Sequence, residues 1–146
     1  MNAAGGRILG IDPGRKTIGL AVSDELHLAA HGLPSIAARP EAKALEAVKS
    51  LIRDYNIVEI VVGLPLNMDG SSGPSAEAAR EFARRLEKLL PGGVRMVDER
   101  LTTVQAERTL LEADLSRTRR KGLRDQLAAV LILQSRLDGG GLPIDG

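Results

Sequence analysis

One stretch of the chain decides the fold: Gly10-Ile-Asp-Pro-Gly-Arg-Lys-Thr-Ile-Gly-Leu-Ala-Val-Ser23. It includes the end of the short apolar run Arg7–Asp12, and the pair Pro13-Gly14 follows directly. This pair favours a type II turn because glycine tolerates the positive φ needed there. Lys16–Ser23 then alternates large apolar with small side chains, the pattern of a strand with two distinct faces. Two strands around a tight turn predict an antiparallel hairpin.

The segments after the hairpin alternate between strand and helix. Apolar runs predict three further strands, over His27–Ala37, Ile57–Gly63 and Val94–Asp98. Helical spacing predicts four helices: Pro40–Asn56, one from the end of the polar loop Asn67–Ser75 to about Leu90, Thr102–Leu111, and one reaching about Leu137. The order β-β-β-α-β-α-β-α-α predicts an α/β domain, a mixed sheet with helices on its faces.

Length and composition bound the possibilities further. The 146 residues suit one domain, 1–146, in which the small residues of Met1–Gly6 and Gly139–Gly146 are expected to be flexible ends. No apolar run approaches the ~18 residues of a membrane span, and no signal peptide precedes the first strand, so we expect a cytoplasmic protein with no membrane partner.

The rarest residue types exclude several kinds of site. Cysteine is absent, so no disulfide, thiolate metal site or cysteine nucleophile is possible. Tyr55 and Phe82 are the only aromatic residues, which argues against a base-stacking platform of the kind used by single-strand binders.

Three carboxylates occupy positions at which an active site is expected. Asp12 ends the first strand and Glu99 follows the fifth, so a sheet that pairs these strands through the fourth would bring both to one edge. Asp125 is expected to open the last helix, where a negative charge suits the macrodipole. Each also has a structural explanation: Asp12 as a turn residue, Glu99 in a surface ion pair and Asp125 as a helix cap. The spacing alone does not bring the three together.

A cluster of three such carboxylates would need a cation. At ~4 Å, each like-charged pair costs about 4 kcal/mol at an effective dielectric of 20. Oxygen ligands favour Mg²⁺ or Mn²⁺ over zinc. Two such ions ~3.5–4 Å apart activate a water and stabilise the leaving oxygen in phosphodiester cleavage, without histidine or cysteine.

Four blocks of the sequence resemble the YqgF family, also called RuvX. They are the opening stretch, Val62-Gly-Leu-Pro-Leu-Asn-Met-Asp-Gly70, Asp98-Glu-Arg-Leu-Thr-Thr103, and Asp125-Gln-Leu-Ala-Ala-Val-Leu-Ile-Leu-Gln134. The similarity covers about Arg7 to Asp138, nearly the whole chain. It implies an RNase H-like fold, a mixed five-stranded sheet of order 3-2-1-4-5 whose first three strands are antiparallel. The family's acidic residues fall on Asp12, Glu99 and Asp125, which implies a metal-dependent nuclease that binds Mg²⁺ or Mn²⁺ there.

The resemblance also implies a substrate, the 5′ end of pre-16S ribosomal RNA, and hence a role in ribosome biogenesis. The older name of the family indicates instead a Holliday junction resolvase that acts on branched DNA. A third alternative is a non-catalytic RNA-binding factor in ribosome assembly. A phosphotransferase is disfavoured for two reasons. Phosphotransferases with a similar strand and turn enclose the nucleotide between two domains, whereas this chain has the length of one. No Gly-x-x-x-x-Gly-Lys-Ser/Thr loop is present either. We expect a monomer or weak homodimer.

Basic and polar residues around these carboxylates are candidate substrate contacts. Lys16 lies in the hairpin turn, and Asn67 lies in a polar loop after the fourth strand. Arg100 either touches a phosphate or pairs with a neighbouring acid such as Asp98. The predicted set is Lys16, Asn67, Arg100, Thr103, Arg117, Arg119, Arg120, Lys121 and Arg124. The last five form a basic stretch that is either a solvated loop or a contact to the phosphate backbone, which is sequence-independent and salt-sensitive.

Overall fold

The computed structural model describes residues 5–101 and 117–139, with the backbone alone at 101 and 117–125. Its strands are β1 (Arg7–Pro13), β2 (Thr17–Ser23), β3 (Ala30–Ala37), β4 (Ile57–Leu64) and β5 (Val94–Asp98). Its helices are α1 (Glu41–Asp54), α2 (Pro74–Leu89), a 3₁₀ turn (Glu99–Leu101) and α3 (Arg117–Leu137). The predicted helix Thr102–Leu111 lies outside the described residues.

The five strands form one mixed sheet of order β3-β2-β1-β4-β5. The first three strands pair antiparallel, whereas β4 pairs parallel with both β1 and β5. The predicted sheet order and fold class are therefore confirmed. Because β1, β4 and β5 run in the same direction, their carboxyl ends meet at one edge of the sheet.

Two apolar clusters cover the two faces of the sheet. Alternation along β1 sends Leu9 and Ile11 into the larger cluster, which α1 and α2 cover. Ile8 points the other way, into a smaller cluster with Val61, Val97 and the buried side chains of α3. Helix α3 is thus the cover of one whole face in the described structure.

The edge strand β3 is shorter than the sequence predicts. β3 begins at Ala30 instead of His27. A turn precedes it, closed by the carboxylate of Asp24, which accepts the backbone N–H groups of Leu28 and Ala29 at 2.8 and 2.9 Å. These hydrogen bonds take up the amides that a longer strand would have paired.

Two local details at loops also differ from prediction. The β1–β2 turn is not type II, because the φ angle of Gly14 is not positive. Glycine is required there for a different reason, since a Cβ would collide with the carbonyl oxygen of Thr17. Pro40 is the N-cap of α1 and not its first helical residue.

The start of α3 is the largest difference. The basic stretch Arg117–Arg124 is helical and not a loop, so the last helix begins at Arg117. Asp125 therefore lies inside the helix, and the expected stabilisation by the positive end of the helix dipole does not apply. The far end of α3 is fixed by Arg136, whose guanidinium binds both carboxylate oxygens of Glu59 on β4 at 2.8 and 3.1 Å.

Near the amino terminus, Gly6 is buried, and its carbonyl oxygen lies 2.8 Å from Nε2 of His27. Among the described residues, no helix is long and apolar enough to cross a bilayer.

Candidate active site

Asp12 and Glu99 lie at the edge of the sheet where the parallel strands end. Asp12 is two residues beyond Gly10 on β1, so strand alternation directs it to the face that α3 covers. Glu99 directly follows β5, and its side chain is only 6% exposed. Both residues line one cavity of about 470 Å³. Both residues thus border the same cavity, and the convergence of their carboxylates stays a prediction.

Two glycines let α3 and Glu99 approach the sheet closely. A Cβ on Gly63 would lie 2.8 Å from Oε2 of Glu99 and 2.5 Å from Cδ1 of Ile132. A Cβ on Gly10 would lie 2.7 Å from Cβ of Leu133. Because real Cβ atoms do not approach other atoms so closely, neither strand position accepts a larger residue without movement of the helix or of the carboxylate.

The register of α3 brings position 125 towards the same edge. Ala128 and Ala129 are wholly buried against the sheet, and Asp125 precedes them by three and four residues, the spacing of one helical face. The helix runs so that its earlier residues lie nearer the Asp12 edge, since Gln126 approaches Gly32 and Gln134 binds the backbone of Ala30. The backbone of α3 is thus consistent with a third carboxylate near Asp12.

The side chain of Asp125 is not among those described. Within the described residues alone, no group of three acidic or histidine side chains is arranged to hold a metal ion. The three-carboxylate cluster predicted from the sequence stays a prediction.

Arg100 connects the end of β5 with the loop after β4. Its guanidinium binds both carboxylate oxygens of Asp98, at 2.7 Å from Nη2 and 3.1–3.2 Å from Nε, and Nη1 donates to the carbonyl of Met68 at 3.3 Å. The backbone N–H of Arg100 also donates to Asp98 at 2.9 Å. Since Glu99 stands between these two residues in the chain, the pair fixes the backbone on both sides of it.

The Asp98–Arg100 pair stays charged at neutral pH. Burial raises the pKa of Asp98, but the hydrogen bonds and charge of Arg100 outweigh burial, so the pKa lies below its ordinary value. The side-chain hydrogen bond to Asp98 in turn raises the pKa of Arg100. A carboxyl with a lowered pKa loses its stabilising contribution only as the pH falls below the usual value of about 3.9.

Asn67 stabilises its own loop. Its side-chain Nδ2 donates to the hydroxyl of Ser71 at 2.9 Å, and that hydroxyl donates to the carboxylate of Asp69 at 2.6 Å. The backbone of Asn67 is also bonded, to the carbonyl of Ser71 at 2.9 Å. These contacts hold the loop beside Arg100, whose guanidinium approaches Gly70.

The remaining predicted contact residues are Lys16, Thr103 and the five cations of the basic stretch. Lys16 is exposed in the β1–β2 turn, and its carbonyl accepts the N–H of Ala38 at 2.8 Å. Thr103 lies outside the described residues. Arg117–Arg124 is described as backbone only, and helical spacing places positions 117, 120, 121 and 124 on one side of α3 and 119 on the other.

Two features of this region are absent from the sequence prediction. The first is the bridge from Arg100 to the carbonyl of Met68, a backbone group that no residue pattern identifies. The second is the extension of the cavity from the carboxylates to Phe82 of α2. The helical spacing of Phe82 indicated only a core position, because it does not reveal which core residues border a cavity.

The chain is similar to known proteins over most of its length. A family model described as “RuvX: Holliday junction resolvase” matches residues 6–139. A protein of Moorella thermoacetica named “Putative pre-16S rRNA nuclease” is 56% identical over 132 residues, which cover 90% of this chain and 94% of that protein. A relative of the same name from Pelotomaculum thermopropionicum is 51% identical, over 94% of this chain and 90% of the relative.

Among solved structures, RuvC of T. thermophilus in complex with a Holliday junction substrate superimposes with a TM-score of 0.54. The alignment covers 95% of this chain and 99% of RuvC at 17% identity, so it supports the shared fold alone. The sheet order and the family match over nearly the whole chain lead to one assignment: the chain belongs to the RuvX family of nucleases.

Proposed function

We propose that this protein is a metal-dependent endonuclease that processes the 5′ end of pre-16S ribosomal RNA in the cytoplasm. The observation that carries the proposal is that Asp12 and Glu99 both line one cavity at the carboxyl edge of the sheet. The names of the relatives from Moorella and Pelotomaculum support the substrate.

The residues present suit a divalent cation. Nucleases of this fold generally use divalent metal ions. Asp12 and Glu99 offer only oxygen donors, which Mg²⁺ and Mn²⁺ prefer, and Gly63 leaves the space that the carboxylate of Glu99 occupies. We propose that Asp12, Glu99 and Asp125 hold the ion. When bound, the ion would supply Lewis-acid activation of water and neutralise charge on the cleaved phosphate.

The other residues of the site bind and orient the substrate in this proposal. Arg117, Arg119, Arg120, Lys121 and Arg124 neutralise the phosphate backbone next to an acidic site that would otherwise repel it. Lys16 and Thr103 contact the strand near the cleaved bond, and Asn67 orders the loop beside it. Arg100 either contacts a phosphate or acts through its partners Asp98 and Met68, and kinetics separate these roles.

Cleavage of a defined RNA tests the proposal. Purified protein is expected to cut a transcript carrying the pre-16S 5′ end in the presence of Mg²⁺ or Mn²⁺. Asp12→Asn is expected to lower the rate at least about a thousandfold, because it removes a charge that holds the ion. Asp54→Asn, which changes an exposed carboxylate on α1, serves as the matched control. Undiminished cleavage by a folded Asp12→Asn variant contradicts the proposal.

Branched DNA is the second candidate substrate, because the family description names Holliday junction resolvases. The same preparation incubated with a four-way DNA junction decides between them. Preferential cleavage of the junction assigns a resolvase, whereas salt-dependent RNA binding without any cleavage assigns a non-catalytic assembly factor.

A further inference from the structure

The cavity that contains Asp12 and Glu99 extends well beyond them. It runs from the sheet edge, where the strands that carry these two residues end, to α2, on the face opposite to the one towards which Asp12 is directed. Its volume of about 470 Å³ falls within the ~300–1,000 Å³ usual for small-molecule sites. Two carboxylates that hold a cation do not need this space, so its remaining part leaves room for a further group of the substrate.

The inner part of the cavity is apolar. Phe82 and Ala79 of α2 and Ile18 of β2 line it, and each is at most 6% exposed. Phe82 is the only phenylalanine of the chain. An apolar surface beside a site for a charged phosphate suits an aromatic or aliphatic group that is attached to that phosphate.

The rim of the cavity carries charges of both signs, since Glu41, which Arg85 binds at 3.1 Å, lines it together with two arginines. Arg15 and Arg39 line it from two loops, which the 2.8 Å hydrogen bond from the N–H of Ala38 to the carbonyl of Lys16 holds side by side. Neither guanidinium makes an ion pair or hydrogen bond within the part of the chain that the structure describes. Two such cations beside an apolar floor match a phosphate ester that carries a planar base.

We infer that this cavity is a nucleotide subsite, which takes one unstacked base of the substrate strand next to the phosphate that is cleaved. The inference rests on the proposed function and deepens it. The base packs on the floor formed by Phe82 and Ala79, and its phosphate lies between the arginines and the carboxylates. Extrusion of a base costs least at unpaired nucleotides, so the subsite favours single-stranded or distorted positions of a structured RNA.

Binding of nucleoside 5′-monophosphates to the full chain in the presence of Mg²⁺ tests the subsite without any cleavage, because these ligands contain no phosphodiester bond between nucleotides. We expect millimolar binding, by NMR or calorimetry, and at least about tenfold weaker binding of ribose 5-phosphate, as for loss of one stacked base. Equal binding of ribose 5-phosphate and the nucleotides would overturn the inference and indicate an anion site alone.

One pair of variants localises the binding. Ala78 is exposed on α2 and lines the cavity, so Ala78→Leu fills the entrance, whereas Ala42→Leu adds the same bulk to an exposed position of α1 outside it. Leucine and alanine are both good helix formers, so both variants should fold. Nucleotide affinity is expected to fall about tenfold or more in Ala78→Leu only. If Ala78→Leu does not fold, Arg15→Gln with Arg39→Gln must give the loss instead, and full affinity in that double variant overturns the inference.

Cleavage provides the second readout. An abasic nucleotide beside the cleaved bond is expected to slow the wild type about tenfold and Ala78→Leu hardly at all. The two proposals fail differently: nucleotide binding without RNA cleavage refutes the proposed function, whereas cleavage without nucleotide binding refutes the subsite.

Discussion

At the residue scale, the missing side chain of Gly63 is as important to the site as the carboxylate beside it. The space above this glycine is shared by Oε2 of Glu99 and Cδ1 of Ile132, 2.8 and 2.5 Å from where a Cβ would stand. One strand position therefore limits both the packing of α3 and the position of an acidic residue. The two effects can be separated by mutation.

Gly63→Ala is expected to lower the free energy of unfolding by about 1–3 kcal/mol, because it overpacks the interface between β4 and α3. It should also lower the cleavage rate about tenfold or more, since Glu99 must move. Denaturant unfolding and single-turnover cleavage, at a temperature where both proteins are folded, measure the two quantities.

Adding Ile132→Val removes only the contact with the helix, because valine lacks the Cδ1 atom. The double variant Gly63→Ala with Ile132→Val should regain much of the stability but not the activity. Recovery of both together would mean that Glu99 is not displaced and that the loss of activity came from α3 alone.

Arg100 is a second residue on which the position of Glu99 is expected to depend. Its guanidinium is already shared between Asp98 and the carbonyl of Met68, so we expect it to position Glu99 and the adjoining loop. Lysine cannot reproduce the planar, two-pronged contact with Asp98. Arg100→Lys should therefore lower kcat about tenfold with KM changed less than about twofold.

Lys16→Gln is the comparison variant, because Lys16 is a predicted phosphate contact on an exposed turn. It should raise KM and reduce the salt dependence of RNA binding by about one counterion. The same reduction in Arg100→Lys, with kcat unchanged, would show that Arg100 contacts the substrate instead.

At the scale of elements, α3 combines two parts with different roles. Its later residues pack on the sheet, and its first turns carry the basic stretch Arg117–Arg124. In a helix these residues no longer act as an unstructured cationic tail, since the spacing gathers four of the five on one side.

Replacing Arg120 and Arg124 by glutamine should weaken RNA binding uniformly across sequences and lower the salt slope by about one unit per residue. Arg119→Gln, on the other side of α3, should change the slope less. Binding titrations from low to moderate salt measure both. Equal effects at all three positions would show that the helical arrangement does not select the contacts.

Element prediction from the sequence succeeded where periodicity is strong. The β1–β2 hairpin follows from alternation around a tight turn, and α2 follows from its apolar stripe. The order of the sheet came from the family resemblance, because strand neighbours depend on contacts between distant segments. The start of α3 was predicted wrongly, since five cations and Gly122 indicate a loop when their tertiary setting is unknown.

At the scale of the whole molecule, the formal charge of +1 conceals an uneven distribution. The basic stretch adds five positive charges without an acid, so the rest of the chain is acidic. Asp12 and Glu99 lie in that acidic part, and the proposed cation would neutralise their charges. Binding of the ion should therefore stabilise the entire fold.

Saturating Mg²⁺ or Mn²⁺, at about a hundred times its Kd, should add about 2.7 kcal/mol to the free energy of unfolding. For a chain of this size that corresponds to a rise in Tm of roughly 5–10 °C. Asp12→Asn should show a much smaller rise, whereas Asp54→Asn should behave like the wild type. An equal rise in all three proteins would place the stabilising ion elsewhere.

The two faces of the sheet carry apolar clusters of different size, and this difference bears on how the protein responds to heating. The apolar cluster under α3 is the smaller of the two. Among the described residues, the ion pair between Arg136 and Glu59 also holds the helix to the sheet. Detachment of this helix exposes less apolar surface than global melting, so we expect it to cost less free energy than unfolding of the whole chain. It would carry position 125 away from Asp12 while the remaining sheet and its other helices persist. We therefore expect warming to abolish activity reversibly at a temperature below that of global unfolding, so that the docking strength of one helix would set the upper working temperature.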